Sequence, residues 1–218
     1  IILLAVLIPV SFTYVGSYFG IMILFYLLLQ FLYNIKLKEV IIIDALTIAI
    51  GFIIRAFAGA LAIPVSISSW LILAITGVSL LLAFGKRRAE RTLLEAKGLS
   101  KESTRAILKH YPDNLLDSMI SMSASFSIIT YSLFAFQNSA DSSEVVVSVL
   151  APFLPSTLGG AYLLMLTIPV VIYGVARYLY VIYEKREGES PERILLQDKP
   201  LLITAILWTV SVVLITSI

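Results

Sequence analysis

Residues 33–60 read YNIKLKEVIIIDALTIAIGFIIRAFAGA, and this stretch determines the class of the protein. Two lysines precede an apolar run that is long enough to cross a bilayer, since a membrane-spanning helix needs about 20 residues. The run is continuously apolar, whereas a strand of a membrane barrel alternates in polarity and is about half as long. The stretch therefore predicts a transmembrane helix that carries two charged residues, Asp44 and Arg55.

The composition of the whole chain leads to the same class. Of 218 residues, 59% are hydrophobic and 14% are charged, whereas a soluble domain has about 25% charged residues. A chain this apolar does not stay solvated and disordered. The absence of cysteine excludes thiolate metal sites, and a single histidine, His110, argues against a histidine-based metal centre. We expect an all-α, polytopic transmembrane bundle that forms one domain over residues 1–218.

Continuous apolar runs predict seven membrane spans. They cover residues 1–15, 19–34, 40–62, 68–85, 114–137, 160–183 and 200–218. The sequence opens at Ile1 inside the first run, without the basic start and the cleavage site of a signal peptide. We therefore expect the natural chain to begin upstream of Ile1.

The basic residues occupy alternate loops. Fourteen of the sixteen lysines and arginines follow the second, fourth and sixth spans, whereas the loops around 16–18, 63–67 and 138–159 contain none. By the positive-inside rule, this pattern predicts that the basic loops face the cytoplasm, with the protein in the plasma (inner) membrane. The fourteen are Lys36, Lys38, Lys86, Arg87, Arg88, Arg91, Lys97, Lys101, Arg105, Lys109, Lys185, Arg186, Arg193 and Lys199.

The two remaining arginines, Arg55 and Arg177, lie inside predicted spans, where an isolated charge is costly. Arg55 shares one helical face with Asp44 and Gly51, although Asp44 lies about 16 Å away by helix rise. Arg177 shares a face with Tyr173. Either both arginines are tied to backbone carbonyls and orient helix packing, or both line a polar cavity that opens to the cytoplasm.

The segment 86–113, KRRAERTLLEAKGLSKESTRAILKHYPD, is the longest predicted cytoplasmic loop. Its mixture of charged and apolar residues predicts short amphipathic helices on the membrane surface, either solvated or bound to anionic headgroups. Lys86, Arg87 and Arg88 directly follow a span, where basic groups are in reach of a bound phosphate.

Asp113 and Asp117 follow this loop in the run DNLLD. A spacing of four residues places both carboxylates on one face of a helix, where they could serve one magnesium-bound phosphate group. The same pattern also occurs at ordinary helix starts, because aspartate complements the helix dipole. The spacing alone leaves both interpretations open.

Several groups of residues along the chain form a recognisable set. They are Tyr33 with Lys36 and Lys38, the Asp44–Arg55 spacing with Gly51 and Gly59, the string GKRRAE (85–90), Tyr111 before Asp117, Arg177-Tyr178, and Pro191-Glu192 followed by Leu196 and Asp198. In these residues the chain resembles the UbiA superfamily of intramembrane prenyltransferases, most closely its decaprenyl-phosphate phosphoribosyltransferase branch. The resemblance extends over nearly the whole chain.

The resemblance implies nine helices around a central cavity, of which the seven predicted spans would be helices three to nine. It implies two acidic cytoplasmic motifs that hold Mg²⁺ and the pyrophosphate of the donor. The first motif, of the NDxxDxxxD type, has no match and would lie upstream of Ile1, so we expect the chain as given to be inactive on its own. Asp113 and Asp117 occupy the place of the second motif and are the implied metal ligands.

The implied reaction transfers 5-phosphoribosyl from phosphoribosyl pyrophosphate to a polyprenyl phosphate, with Mg²⁺ as cofactor. We assign Asp44 and Arg55 as catalytic residues. Because both substrates carry phosphates, the site also needs cationic groups. The predicted phosphate-binding residues are Tyr33, Lys36, Lys38, Lys86, Arg87, Arg88, Tyr173 and Arg177.

Two alternatives remain. One, within the same fold, is transfer of a prenyl group from a prenyl diphosphate to an aromatic or quinone precursor. The other, of a different class, is an anion transporter, for which we see no inverted repeat in the sequence. We expect membrane lipid but no nucleic acid as a partner, and a homo-oligomer is left open.

Overall fold

The computed structural model describes residues 8–63, 65–97, 111–139, 160–185 and 196–217, with no side chains described at 93–97, 139, 160–162, 185 and 217. This part of the chain is helical and contains no strand, which confirms the all-α prediction. Six helices in it are long and apolar enough to cross a membrane. The predicted span 1–15 lies partly outside the described residues, and residues 8–15 are helical. The protein is an integral membrane protein.

The spanning helices follow the predicted order. They are α1 (Ser17–Ile35), α2 (Ile43–Ala62), α3 (Ser69–Lys97), α4 (Asp113–Ser139), α5 (Ile168–Tyr180) and α6 (Lys199–Ser217). A 3-10 segment, Gly160–Thr167, and a π-helical segment, Val181–Lys185, extend α5 at its two ends, so that the span runs over Leu163–Glu184. A short 3-10 turn, Leu37–Glu39, joins α1 to α2.

Helix α3 differs from its predicted extent. The prediction ended the span at residue 85 and began a loop there, but the helix continues to Lys97. Arg87 and Ala89 on this extension are buried, because Arg87 is neutralised by a carboxylate of α2 and Ala89 packs into the protein. The basic triplet therefore lies on a helix, and residues 98–110 of the predicted loop lie outside the described part.

Helices α3 and α4 approach each other closely at a glycine. A Cβ atom added to Gly77 would lie 2.7 Å from the Cα atom of Ser127, so only glycine permits this backbone contact. Deeper in the bundle, the Tyr131 hydroxyl lies 2.6 Å from Thr167 Oγ1 and accepts a hydrogen bond of 2.8 Å from the Trp208 indole. These contacts join α4 to α5 and α6, and they fix the helices that surround the cavity described next.

Candidate active site

A cavity of about 660 Å³ lies between α1, α2, α3, α5 and α6. Its walls are mainly apolar and it contains no aspartate or glutamate among the described lining residues. The residues that line it are Tyr26, Leu29, Gln30, Tyr33, Thr47, Ile48, Gly51, Phe52, Arg55, Val78, Leu81, Leu82, Ala83, Lys86, Arg87, Gly174, Val175, Tyr178 and Leu201. The α2 face that carries Gly51 and Arg55 thus faces this cavity.

The sequence left open whether Arg55 is tied to a backbone carbonyl or lines a cavity, and the structure shows both. Its Nε donates a hydrogen bond of 3.2 Å to the carbonyl of Gly51, one turn earlier on the same helix. Its guanidinium carbon lies 4.3 Å from the ring centre of Phe52 and 5.5 Å from that of Tyr26. The residue is nevertheless exposed to the cavity, and its terminal nitrogens have no hydrogen-bond partner among the described residues.

Asp44 and Arg87 form a fully buried ion pair between α2 and α3. Arg87 Nε lies 2.6 Å from Asp44 Oδ2, and both side chains have 0% exposure. The guanidinium also donates to Glu90 and, at 3.1 Å, to the hydroxyl of Tyr33. Every nitrogen of Arg87 therefore faces a protein oxygen, and Asp44 has no surface on the cavity. The pair therefore joins α2 to α3, and through Arg87 it contacts Tyr33, which lines the cavity.

Tyr111 fixes the start of α2 next to this ion pair. Its buried hydroxyl donates to Asp44 Oδ1 and accepts a hydrogen bond of 2.6 Å from the backbone N–H of Ile42. Ile42 has a φ of 69°, which is uncommon for a β-branched residue and persists only where the surroundings enforce it. Burial, together with the hydrogen bond to Asp44, raises the pKa of Tyr111 above its ordinary value, so the hydroxyl keeps its proton at neutral pH.

Arg88 holds the two carboxylates that were predicted as metal ligands. Its NH1 lies 3.1 Å from Asp113 Oδ1 and its Nε lies 3.0 Å from Asp117 Oδ1. Arg91 adds a contact of 3.0 Å to Asp113, and Tyr183 donates a hydrogen bond of 2.9 Å to Asp117. These arginines supply the positive charge that two neighbouring carboxylates require.

The carboxylate pair is compatible with a shared metal site. Within the described residues, the Oδ2 atoms of Asp113 and Asp117 have no partner, and both side chains are about 40% exposed. The same residues contain no group of three or more acidic, histidine or cysteine side chains that could enclose a metal. Because Mg²⁺ is often bound by one or two carboxylates together with substrate phosphates and water, the pair fits such a site.

Arg177 is ion-paired outside the cavity. Its Nε and NH2 lie 3.0 and 2.9 Å from the two oxygens of Asp198, and its guanidinium lies over the ring of Tyr180. Asp198 also accepts a hydrogen bond from the backbone N–H of Leu201 and so caps the start of α6. The structure therefore does not bring Arg177 together with Arg55. Tyr173, on the same face as Arg177, is exposed and does not line the cavity either.

The predicted site residues thus fall into separate groups. Tyr33, Arg55, Lys86 and Arg87 line the cavity, and Arg88 binds Asp113 and Asp117 on the neighbouring surface of α3 and α4. Lys36 and Lys38, at the turn between α1 and α2, do not line it.

Sequence reasoning missed Tyr26 and Gln30. With Tyr33 they have the spacing i, i+4 and i+7, which is the signal of one helical face.

Comparison with known proteins provides the family context. A relative from Mycolicibacterium smegmatis named decaprenyl-phosphate phosphoribosyltransferase is 31% identical over 84% of this chain and 54% of its own length. The chain is a relative of the decaprenyl-phosphate phosphoribosyltransferases. Proteins of the same name from Corynebacterium glutamicum and Mycobacterium tuberculosis are each 28% identical, over 87% and 86% of the chain. These enzymes belong to the UbiA superfamily, so the resemblance stated from the sequence is confirmed.

The chain spans about half the length of these relatives, between 51% and 55%. No family model matches the chain.

Proposed function

We propose that the protein is an intramembrane transferase that moves 5-phosphoribosyl from phosphoribosyl pyrophosphate to a polyprenyl phosphate, at the cytoplasmic side of the plasma membrane. The observation that carries this proposal is a cavity that combines apolar walls with Arg55 and Lys86. Apolar walls suit a prenyl chain, and cationic side chains suit phosphate. The name of the relatives, which combines decaprenyl phosphate with phosphoribosyl transfer, requires both properties in one site.

The proposed reaction is a substitution at C1 of the ribose. An oxygen of the lipid phosphate forms a bond to C1 while the bond from C1 to pyrophosphate breaks, and pyrophosphate leaves with the electron pair. The attacking phosphate is already an anion at neutral pH, so the step needs no strong general base. The main task of the protein is then to bring two anions together and to stabilise the charge on the leaving group.

The cationic side chains divide this task. Arg55 and Lys86 line the cavity and have no carboxylate partner in the described part of the chain, so they are available to phosphate oxygens. Arg87 is held by Asp44 and in turn binds the hydroxyl of Tyr33. We therefore assign Arg55 and Lys86 to substrate binding, and Asp44 and Arg87 to positioning.

Asp113 and Asp117, beside Arg88, are the residues that would hold Mg²⁺. When bound, Mg²⁺ supplies positive charge to the pyrophosphate group. Arg88 keeps the two carboxylates in place, and it directly follows Arg87, which binds Tyr33, in the sequence of α3.

The test uses the protein encoded by its complete gene, in isolated membranes. Labelled phosphoribosyl pyrophosphate and polyprenyl phosphate are added, and label in the lipid extract is measured with and without EDTA. We expect labelled lipid that EDTA abolishes. Asp117→Ala should lower kcat by about 100-fold, which corresponds to a loss of about 2.7 kcal/mol of charge stabilisation.

Thr209→Val is the control variant, because Thr209 is exposed on α6 and bonds only to its own helix. Incorporation of a labelled prenyl diphosphate into an aromatic acceptor, without phosphoribosyl transfer, would replace the proposal by the prenyltransferase alternative. Uptake of the labelled donor into sealed vesicles, without lipid product, would indicate a transporter.

A further inference from the structure

Arg55 lies in the membrane-spanning part of the cavity, away from the buried ion pair of Arg87 with Asp44. Eleven residues separate it from Asp44 along α2, which corresponds to about 16 Å of helix rise. Arg87 contacts Asp44 and binds the hydroxyl of Tyr33, so Tyr33 and Arg55 mark two levels of the same cavity. A substrate that reaches both levels therefore presents a different chemical group to each of them.

The surroundings of Arg55 define a subsite. Phe52 and Tyr26 lie against the guanidinium, and Tyr26 is held in place because its hydroxyl accepts a hydrogen bond of 3.1 Å from Gln30 Nε2. The Gly51 carbonyl occupies Nε. These contacts fix the side chain while its terminal nitrogens stay available, and a planar guanidinium of this kind can donate two parallel hydrogen bonds to one phosphate.

The charge balance of the subsite selects a simple anion. An arginine in a membrane span needs a countercharge, and the described lining of the cavity contains no carboxylate. The lack of acidic residues also argues against a magnesium-bound pyrophosphate at this level, since the carboxylates lie with Arg88 on α3 and α4. A single phosphate monoester without a metal ion offers the countercharge that Arg55 needs and accepts hydrogen bonds from its terminal nitrogens.

We propose that Arg55, supported by Tyr26 and Gln30, binds the phosphate monoester of a substrate, apart from the level at which pyrophosphate is held. This inference rests on the proposed function, which offers two such monoesters. One is the 5-phosphate of the ribose donor and the other is the phosphate of the lipid acceptor. Tyr26 and Gln30 are positioning residues that act through the guanidinium of Arg55.

The first experiment measures binding without catalysis. The purified protein in detergent is heated with ribose 5-phosphate or with a short-chain prenyl phosphate, and the shift in Tm is compared between the unchanged protein and Arg55→Gln. We expect one of the two compounds to raise the Tm of the unchanged protein and to have no effect on Arg55→Gln. The compound that does so identifies the source of the monoester. Equal shifts in both proteins, or no shift with either compound, would overturn the proposal.

The second experiment measures KM for each substrate in the transfer assay. Arg55→Lys keeps the charge but loses the two-pronged donor, and it should raise KM for one substrate by about tenfold with a small change in kcat. Tyr26→Leu removes the ring beside the guanidinium and should raise the same KM several-fold, whereas Tyr26→Phe keeps the ring but loses the hydrogen bond from Gln30 and should raise it less. A variant series that lowers Tm but leaves both KM values unchanged would show that Arg55 has a structural role only.

The two experiments separate the inference from the proposed function. A Tm shift that depends on Arg55, without phosphoribosyl transfer, would retain the phosphate subsite and overturn the reaction. Phosphoribosyl transfer that is insensitive to Arg55→Lys and Tyr26→Leu would retain the reaction and overturn the subsite.

Discussion

Arg55 and Arg87 show two different ways to accommodate an arginine in a membrane protein. Arg87 is completely enclosed, and each part of its guanidinium faces an oxygen of Asp44, Glu90 or Tyr33. Arg55 is exposed to a cavity, with aromatic rings and one carbonyl as neighbours. The first arrangement leaves no donor of the guanidinium for a ligand, whereas the second leaves the terminal nitrogens available.

Asp44→Asn tests whether Asp44 supports the fold or touches the substrate. The change leaves the charge of Arg87 buried without its carboxylate, and removal of one partner of a buried pair costs about 3–5 kcal/mol. We expect a loss of this size in the free energy of unfolding, measured by denaturant titration in mixed micelles.

The double variant Asp44→Asn with Arg87→Met is the control, because it removes both charges. It should recover more than half of the lost stability, since an apolar replacement of a buried pair is often neutral. An Asp44→Asn protein that is as stable as the unchanged protein but has lost transfer activity would instead indicate that Asp44 is a catalytic residue.

At the level of helices, the sequence predicted where most of the spans lie, but not which side chains on different helices contact each other. Apolar runs placed five of the six described spans within a few residues at both ends, because the bilayer fixes both their length and their polarity. The end of α3 was missed, since Arg87 is neutralised inside the protein by a residue on another helix. Tyr111 and Asp44 are 67 residues apart, and no local pattern encodes a hydrogen bond at that distance.

The candidate site, too, was predicted where local sequence patterns determine it and not where it depends on contacts between distant residues. Helical periodicity placed Asp44, Gly51 and Arg55 on one face of α2; Gly51 and Arg55 do line the cavity, whereas Asp44 is buried in an ion pair. The pairing of Arg177 with Asp198 was not predicted, because the sequence shows the cost of an intramembrane arginine but not which carboxylate offsets it.

Gly77→Ala tests the close packing of α3 on α4. The added methyl group would lie 2.7 Å from Cα and 2.8 Å from the backbone N of Ser127, and backbone atoms cannot rotate away from it. We expect a loss of about 1–3 kcal/mol in the free energy of unfolding, as is typical of overpacking.

Gly59→Ala is the matched control for this change. Gly59 also lies in a spanning helix, and a Cβ atom there would have no neighbour within 4 Å. Because alanine is the better helix former, this variant should be at least as stable as the unchanged protein. Equal losses in the two variants would mean that the α3–α4 contact is looser than the structure indicates.

At the scale of the whole molecule, the charge distribution and the site geometry lead to one orientation. The ion pairs of Arg88 with Asp113 and Asp117 lie at the end of the bundle where the basic residues cluster, and the loop between α2 and α3 has no basic residue. The positive-inside rule therefore predicts that the carboxylate pair faces the cytoplasm. Both phosphorylated substrates of the proposed reaction would then be bound from that side.

The absence of cysteine makes this orientation directly measurable with single introduced thiols. Glu39, in the turn before α2, and Val65, after its end, are both exposed and flank one span. In intact cells a membrane-impermeant maleimide should label Val65→Cys and leave Glu39→Cys unmodified, and inside-out vesicles should give the reverse. The reverse pattern in intact cells would place Arg88 and its two carboxylates outside the cytoplasm. Labelling of both thiols from one side would mean that α2 does not cross the membrane, and the cavity could not then be an intramembrane site.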